Sequence, residues 1–454
     1  MDRWAEHELA SWGRFTQVSE CCRPENRTEV VDALNDRDGK PVLAFGLGRS
    51  YGDVALLEGG RVVLTERLDH FLSFDRETGW LRCEAGVSLE EIIKVFAPRG
   101  YFPPVVPGTS FVTVAGALAN DIHGKNHHID GTFADHVRRV EILTASGEIV
   151  TCDADTEPEL FWATVGGLGL TGFILAMDVR LVPIESQYIS MESIRIRNLE
   201  QFFEISKKSN NFTHTVSWID CSKTGRSLGR GIFMRGRWAS RGPSFDVVHK
   251  LRHLADPLLD IPVEGSNHLL NRATVSLFNE AFYRKQLKSR SKTREHYEPF
   301  FFPLDAVRRW NRLYGPRGLL QYQLVVPPDP DHRAIRLAME EITRSKMASF
   351  LAVIKEFGDQ VHGGLSFPIP GVTLALDFPN FGKPLLQLFD RLDRIVLDAG
   401  GRLYLGKDAR LGKEEFRIMY PEWEKWKAVR DKWDPEGMYQ SDLGRRMGLC
   451  GGAL

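Results

Sequence analysis

The residues able to do chemistry sit in a few short stretches, and the glycine loops come first. Phe45-Gly46-Leu47-Gly48-Arg49-Ser50-Tyr51-Gly52-Asp53 follows an apolar β-run and precedes no helical pattern. Consecutive backbone N–H groups with glycines in left-handed conformations can form a nest that binds a pyrophosphate. A hairpin loop without a ligand fits the same residues. Gly167-Leu168-Gly169-Leu170-Thr171-Gly172 spells G-x-G-x-x-G. The helical Glu159–Ala163 precedes it, however, and a strand from Phe173 follows. That order is the inverse of a dinucleotide fingerprint, in which a helix N-terminus receives the phosphate, so a Rossmann reading is rejected. The third stretch runs from Pro104 through Pro107-Gly108-Thr109 and Val112 to Asn120-Asp121-Ile122-His123-Gly124-Lys125. Its prolines fix an extended approach, and Ala115, Gly116, Ala117 and Ala119 let backbone lie close to a planar ring system.

Further along are side chains suited to proton transfer and hydrogen bonding. A lysine desolvated against an aromatic ring can accept a proton from a hydroxyl or stabilise an alkoxide. Lys407, read as following Tyr404 in a strand, suits that role; a surface lysine pairing with Asp408 is the competing reading. Gln321 and Gln323 alternate along a strand and share a face, either towards a ligand or as a solvated edge. His123, His127 and His128 have helical spacing for a metal pair, but Gly124 interrupts the helix and no third ligand appears, so no metal is expected. Lys125 offers a point charge to a phosphate.

These residues need elements to hold them. The 454 residues are too many for one compact core, so two domains are expected. The net charge of -1 gives no basic field to attract nucleic acid. Six scattered cysteines without a C-x-x-C pair read as single thiols in a reducing compartment. Met1–His7 has no apolar run, so no export signal is expected, and no stretch offers the roughly 18 apolar residues of a membrane span. Up to residue 185, strands at 41–45, 61–65, 81–85, 137–143 and 173–181 alternate with helical stretches. Ser88 and Glu91 form a predicted capping box at the start of the 88–96 helix. Beyond Pro183 come strands at 217–220 and 320–325, helices at 334–344 and 385–399, a short strand after Gly401 and a Trp-rich helix. The polar stretch 284–299 reads as a mobile loop.

Several runs together resemble the vanillyl-alcohol-oxidase-type FAD enzymes over nearly the whole chain. They are 48–53 (GRSYGD), 121–128 (DIHGKNHH), 161–167, 320–323, 365–371 and 400–408 (GGRLYLGKD). The resemblance implies an α+β, two-domain fold. Residues 1–186 and 401–454 would form the FAD-binding domain. Residues 187–400 would be an inserted substrate domain on a mixed or antiparallel sheet, with the flavin ring at the interface. Within the group, the match is to the branch that oxidises the C2′ hydroxyl of a polyprenyl-phosphoryl-β-D-ribose to a ketone, the first half of an epimerisation to the arabinose form. A keto-sugar reductase partner would complete it. FAD would be non-covalent, because many relatives attach it through a histidine where this chain has Arg49.

Carried over by position, the resemblance implies Lys407, Tyr51 and His123 as catalytic residues. Lys125, Gln321, Gln323, Lys355, Tyr404 and Lys407 would bind substrate. Cofactor contacts are expected at Gly46, Gly48, Arg49, Ser50, Tyr51, Gly52, Asp53, Pro107, Gly108, Thr109, Val112, Gly116, Ala117, Asn120, His123, Gly124, Gly169, Gly172 and Tyr404. Ala375 stands where mycobacterial members carry a cysteine. An alditol or sugar-lactone oxidase of the same fold is the alternative activity, and a flavin-bound subunit without turnover the alternative class. The six basic residues of 284–294, followed by Phe300-Phe301-Phe302, read as a solvated loop. They also read as a peripheral contact with anionic lipid, worth about 1 kcal/mol per basic residue. A cytoplasmic location, peripheral at the inner membrane, is expected.

Overall fold

The computed structural model describes residues 3–241, 259–347 and 349–450. Three sheets organise them. The first has four strands in the spatial order Ala5–Ala10, Thr16–Cys22, Arg61–Leu64, Val42–Phe45, the last three parallel to one another. Beside it lies an antiparallel sheet of five: Phe71–Phe74, Trp80–Glu84, Phe173–Arg180, Val137–Leu143, Ile149–Asp153. The helix Leu89–Phe96 packs here, and Ser88 and Glu91 close the predicted capping box. Together these elements form the glycine-loop half of a two-domain α+β fold.

The other half is an eight-stranded sheet, antiparallel throughout. Its order is Arg290–His296, Tyr188–Ile196, Gly231–Trp238, His214–Ile219, Ala352–Phe357, Gly371–Pro379, Leu319–Val326, Arg402–Leu403. Side chains alternate between its faces, and the two faces differ sharply. Leu320, Tyr322, Leu324, Leu374, Leu376, Phe378 and Ile354 are buried on one, under Met339 and Ile342 of the helix Arg333–Ser345 and Leu388 and Leu392 of the helix Lys383–Asp398. The register places Gln321 opposite Asp377, Gln323 opposite Ala375 and Lys355 opposite Thr373 on the other. That polar face looks towards the glycine-loop half.

The C-terminal segment serves both halves. Arg402–Leu403 pairs with the Leu319–Val326 strand of the large sheet. The helix Trp423–Trp433 then crosses back, and Trp426 donates to the Ala163 carbonyl at 2.7 Å. The Val42 N–H donates to Met438 O at 2.7 Å, and Tyr439 hydrogen-bonds Leu143 O at 2.7 Å. Buried Arg430 joins this return to its surroundings, donating to Asp434 at 2.8 Å and to Tyr439 O at 2.9 Å.

The stretch 284–299 is not a loop. Its first residues finish the helix Arg272–Lys285, the edge strand Arg290–His296 follows, and Tyr297–Phe301 is helical. The pairing that makes it a strand comes from Tyr188–Ile196, about a hundred residues earlier, where Glu192 accepts from Arg290 at 2.7 Å. Phe300, Phe301 and Phe302 are buried in the core between the halves and offer nothing to a membrane. All six cysteines are free and buried.

Replacing Arg430 with Met should leave the buried Asp434 carboxylate without its counter-charge, held among the described residues only by the Met438 and Tyr439 N–H groups, and lower stability by roughly 3–5 kcal/mol. Denaturant unfolding of the FAD-loaded protein checks this; a loss under about 0.5 kcal/mol would contradict the packing described.

A candidate active site between the glycine loops and the large sheet

The polar face of the large sheet meets the 114–128 region of the other half through backbone. Thr215 N–H donates to Lys125 O at 2.7 Å, Gly358 N–H to His127 Nδ1 at 3.1 Å, and Lys355 Nζ to Gly124 O at 3.2 Å. The helix Val114–Ala119 that leads in is capped by Thr113, whose hydroxyl accepts from Gly116 N–H at 3.1 Å. This docking brings the predicted substrate residues Lys125, Gln321, Gln323, Lys355, Tyr404 and Lys407 to one interface with Tyr51 and His123.

A second junction delivers Tyr51 and Lys407. Gly52 lies directly on the Asp408 backbone, and a Cβ there would come within 1.8 Å of Asp408 O. Arg446 grips Asp53 bidentately at 2.8 and 2.9 Å and Asp408 at 3.0 Å. The Asp408 carboxylate also accepts from the Arg410 and Leu411 N–H groups. So Asp408 is not the partner of Lys407, and Asp53 is an anchor for its loop. Lys407 ends a 3-10 turn, Leu405–Lys407, and not a strand. Its ammonium sits 4.1 Å above the Tyr51 ring.

Asp377, to which no sequence motif points, completes this corner. Gln321 Nε2 donates to Asp377 Oδ1, the Tyr51 hydroxyl lies beside the same carboxyl, and Oδ2 is buried with no partner among the described residues. Burial pushes the acid up and Lys407 down, while the charge of each opposes its shift. Burial thus brings the proton affinities of the acid and the amine towards each other. The period-two run Thr373, Ala375, Asp377 was the available signal, but only the register against Gln321 gives it meaning. The strand bearing Gln321 and Gln323 lies inside the sheet, not at a solvated edge.

His123 is neutral, pushed down by burial. Its Nε2 accepts from the Gln323 amide at 3.0 Å, and Phe357, Phe367 and Tyr404 surround the ring. Tyr404 donates to Asn120 O at 2.8 Å. His123 and His127 are thus engaged with Gln323 and Gly358, and no cluster of three metal-ligating side chains occurs among the described residues.

The expected cofactor positions divide. Phe45–Ser50 is half-exposed, as are Pro107, Thr109 and Val112, while Gly108 and Gly169 have open space where a Cβ would stand. Gly48 has φ +61, which favours glycine. Gly46 and Gly116 both face Thr113 Oγ1. Arg49 stacks over Trp12 at 4.2 Å and Phe111 at 5.1 Å, between the first loop and the 107–112 loop, with Nε unpartnered among the described residues. Asn120 Oδ1 is likewise buried and unpartnered, and Ser50 O accepts from Trp12 N–H. Ala117, Gly124 and Gly172 are packing positions, Gly172 against Ile142 and Gly124 against Val106. Open glycine backbone, an unsatisfied guanidinium nitrogen and an unsatisfied amide beside the polar face fit a flavin dinucleotide. Gly46, Gly48, Arg49, Gly108, Asn120 and Gly169 are the residues that could hold it.

Comparison with known proteins agrees. Residues 20–153 match an FAD binding domain family, and residues 377–447 match the D-arabinono-1,4-lactone oxidase family. Decaprenylphosphoryl-β-D-ribose oxidase of Mycolicibacterium smegmatis is 39% identical over 450 residues, covering 97% of each chain. L-gulonolactone oxidase of Bos taurus is 24% identical, over 92% of this chain and 94% of its own length. L-gulono-1,4-lactone dehydrogenase of Mycobacterium tuberculosis is 21% identical, over 94% of this chain and 95% of its own. With 39% identity across almost the whole of both proteins, the chain belongs to the family of decaprenylphosphoryl-β-D-ribose oxidase and is an FAD-dependent oxidoreductase.

Proposed function

We propose that this protein oxidises the C2′ hydroxyl of a polyprenyl-phosphoryl-β-D-ribose to the ketone. One observation carries the reading: the buried Lys407–Tyr51–Asp377 corner, set on a sheet face lined with the amides Gln321 and Gln323. FAD, when bound, supplies the hydride acceptor. The protein's own residues handle the rest. Gln323 and His123 orient the sugar hydroxyls, Lys407 takes the hydroxyl proton, and Asp377 holds that proton's counter-charge through Tyr51 and Gln321. A desolvated amine is a competent base near neutral pH because burial has already disfavoured its charged form.

The likeness to lactone oxidases supports the shared fold, and an alditol or lactone substrate is the alternative. Several finer features belong to the proposal. FAD is held without a covalent link, because Arg49 offers no nucleophile at the first glycine loop. Residues 1–186 and 401–454 form the FAD domain around a 187–400 substrate domain, although the short strand at 402–403 joins the larger sheet. A keto-sugar reductase receives the product. Contact with a lipid surface would use Lys288 and Lys292, which are exposed, since Arg284 and Arg290 are engaged with Glu280 and Glu192. No described helix is long and apolar enough to cross a membrane.

Lys407→Ala should retain FAD through gel filtration but reduce it about 10²–10⁴-fold more slowly under anaerobic stopped flow. Undiminished reduction would remove Lys407 from the chemistry. Asp377→Asn removes a negative charge that raises the Lys407 pKa. The amine should then lose its proton at lower pH, and the acid limb of the reduction rate should move to lower pH. A limb that stays in place would separate the two groups. Acid precipitation should release the yellow colour into the supernatant; colour kept in the pellet would indicate a covalent flavin.

A further inference from the structure

Two lysines near the Lys407 corner have no counter-charge among the described residues. Lys125 donates to Phe300 O and lies 4.8 Å from the Phe300 ring, and Lys355 donates to Gly124 O at 3.2 Å. Both side chains are deep in the fold, yet each keeps part of its surface open. The charge acting on Lys125 is that of Lys355, and burial is what acts on Lys355; no carboxylate contributes to either. Around them stand His127, whose Nε2 is buried and unpartnered, and His214, buried with both ring nitrogens unpartnered among the described residues. Two ammonium groups sharing a low-dielectric site repel and lose hydration, a costly arrangement unless an anion completes it. Each ammonium has three donors and uses one here, which leaves two apiece for oxygen acceptors.

We propose that Lys125 and Lys355, with His127 and His214 behind them, form a subsite for a phosphate ester, and that this subsite selects phosphorylated sugars over neutral alditols and lactones. The inference rests on the reading of the substrate above and deepens it. A phosphodiester carries one negative charge on two non-bridging oxygens, which several point-charge donors can share. A lactone or alditol brings no charge and would leave the two ammonium groups uncompensated. The subsite flanks His123, while Arg49 and the open glycines lie at the other loops.

Burial lowers Lys125 to about 7 and Lys355 to about 8. The groups facing them are His123 and His127 towards Lys355 and His214 towards Lys125. The imidazoles of all three are held neutral, His127 and His214 at about 3. Asp135 is the acid acting on His127, and Asp377 acts on Lys407. Without ligand the subsite therefore loses positive charge as pH rises from 7 to 9, and affinity for a phosphate ester falls over that window.

The test uses the FAD-loaded protein. Thermal unfolding is followed with and without inorganic phosphate, for the parent, Lys125→Met, Lys355→Met and Lys355→Arg. Phosphate should raise the Tm of the parent and of Lys355→Arg, more at pH 7 than at pH 9, and leave both Met variants unmoved. An equal rise in all four, or none in the parent, would overturn the subsite whatever the enzyme oxidises. Anaerobic flavin bleaching is then titrated with a short-chain alkyl-phosphoryl-β-D-ribose and with the matching alkyl β-D-riboside. Lys355→Met should raise the half-saturating concentration of the phosphorylated probe about tenfold, and that of the neutral probe by much less. Equal effects on both probes would also overturn the proposal. If neither probe bleaches the parent, the substrate reading fails, while the phosphate-dependent Tm still decides the subsite.

Discussion

The meeting of Gly52 with the Asp408 backbone, locked by Arg446 across Asp53 and Asp408, is the contact on which the site depends. Tyr51 and Lys407 are the immediate neighbours of these two residues, yet they are more than 350 positions apart in the chain. Only glycine permits the approach at 52. Only a fork-shaped cation, donating through several N–H groups, can satisfy two carboxylates from different loops and the Leu411 carbonyl at once. Once the loops are locked, the ammonium falls over the phenol ring and the corner closes on Asp377.

The large sheet supplies the other half of the constraint by being two different surfaces. Its apolar face, under two long helices, contributes the burial that holds the domain together. That frees the opposite face to carry amides, an acid and a lysine that would otherwise weaken a core. The cost of those polar groups is met by pairing them with one another and with the docking loop: Gln321 with Asp377, Gln323 with His123, Lys355 with Gly124 O. Some polar atoms at this interface remain without a partner among the described residues. Among them are Asp377 Oδ2, Asn120 Oδ1 and Arg49 Nε, all buried.

Local chemistry was legible in the sequence, and long-range pairing was not. The capping box at Ser88 and Glu91, the inverted helix-then-strand order around Gly167–Gly172 and the shared face of Gln321 and Gln323 each depend on residues within a few positions. Asp377 was invisible as a functional group because its meaning comes from standing across from Gln321 and beside a tyrosine of the other domain. The edge strand Arg290–His296 was read as a loop because its sequence is charged, and only the distant Tyr188–Ile196 strand makes it regular. Asp53 looked like part of a nest until Arg446, near the other end of the chain, claimed it. Lys407 was read as lying in a strand after Tyr404, but it ends a 3-10 turn.

At the centre is the claim that an alcohol bound on the polar face of the large sheet gives up a proton to the Lys407 corner as its hydride leaves. Anaerobic titration of the yellow, FAD-loaded protein with a prenyl-phosphoryl-β-D-ribose measures this directly. Stoichiometric loss of the oxidised flavin spectrum, with formation of the 2′-ketone and no comparable response to free alditols, is the predicted result. A flavin that stays oxidised with the phosphorylated ribose but bleaches with an alditol or lactone would contradict it.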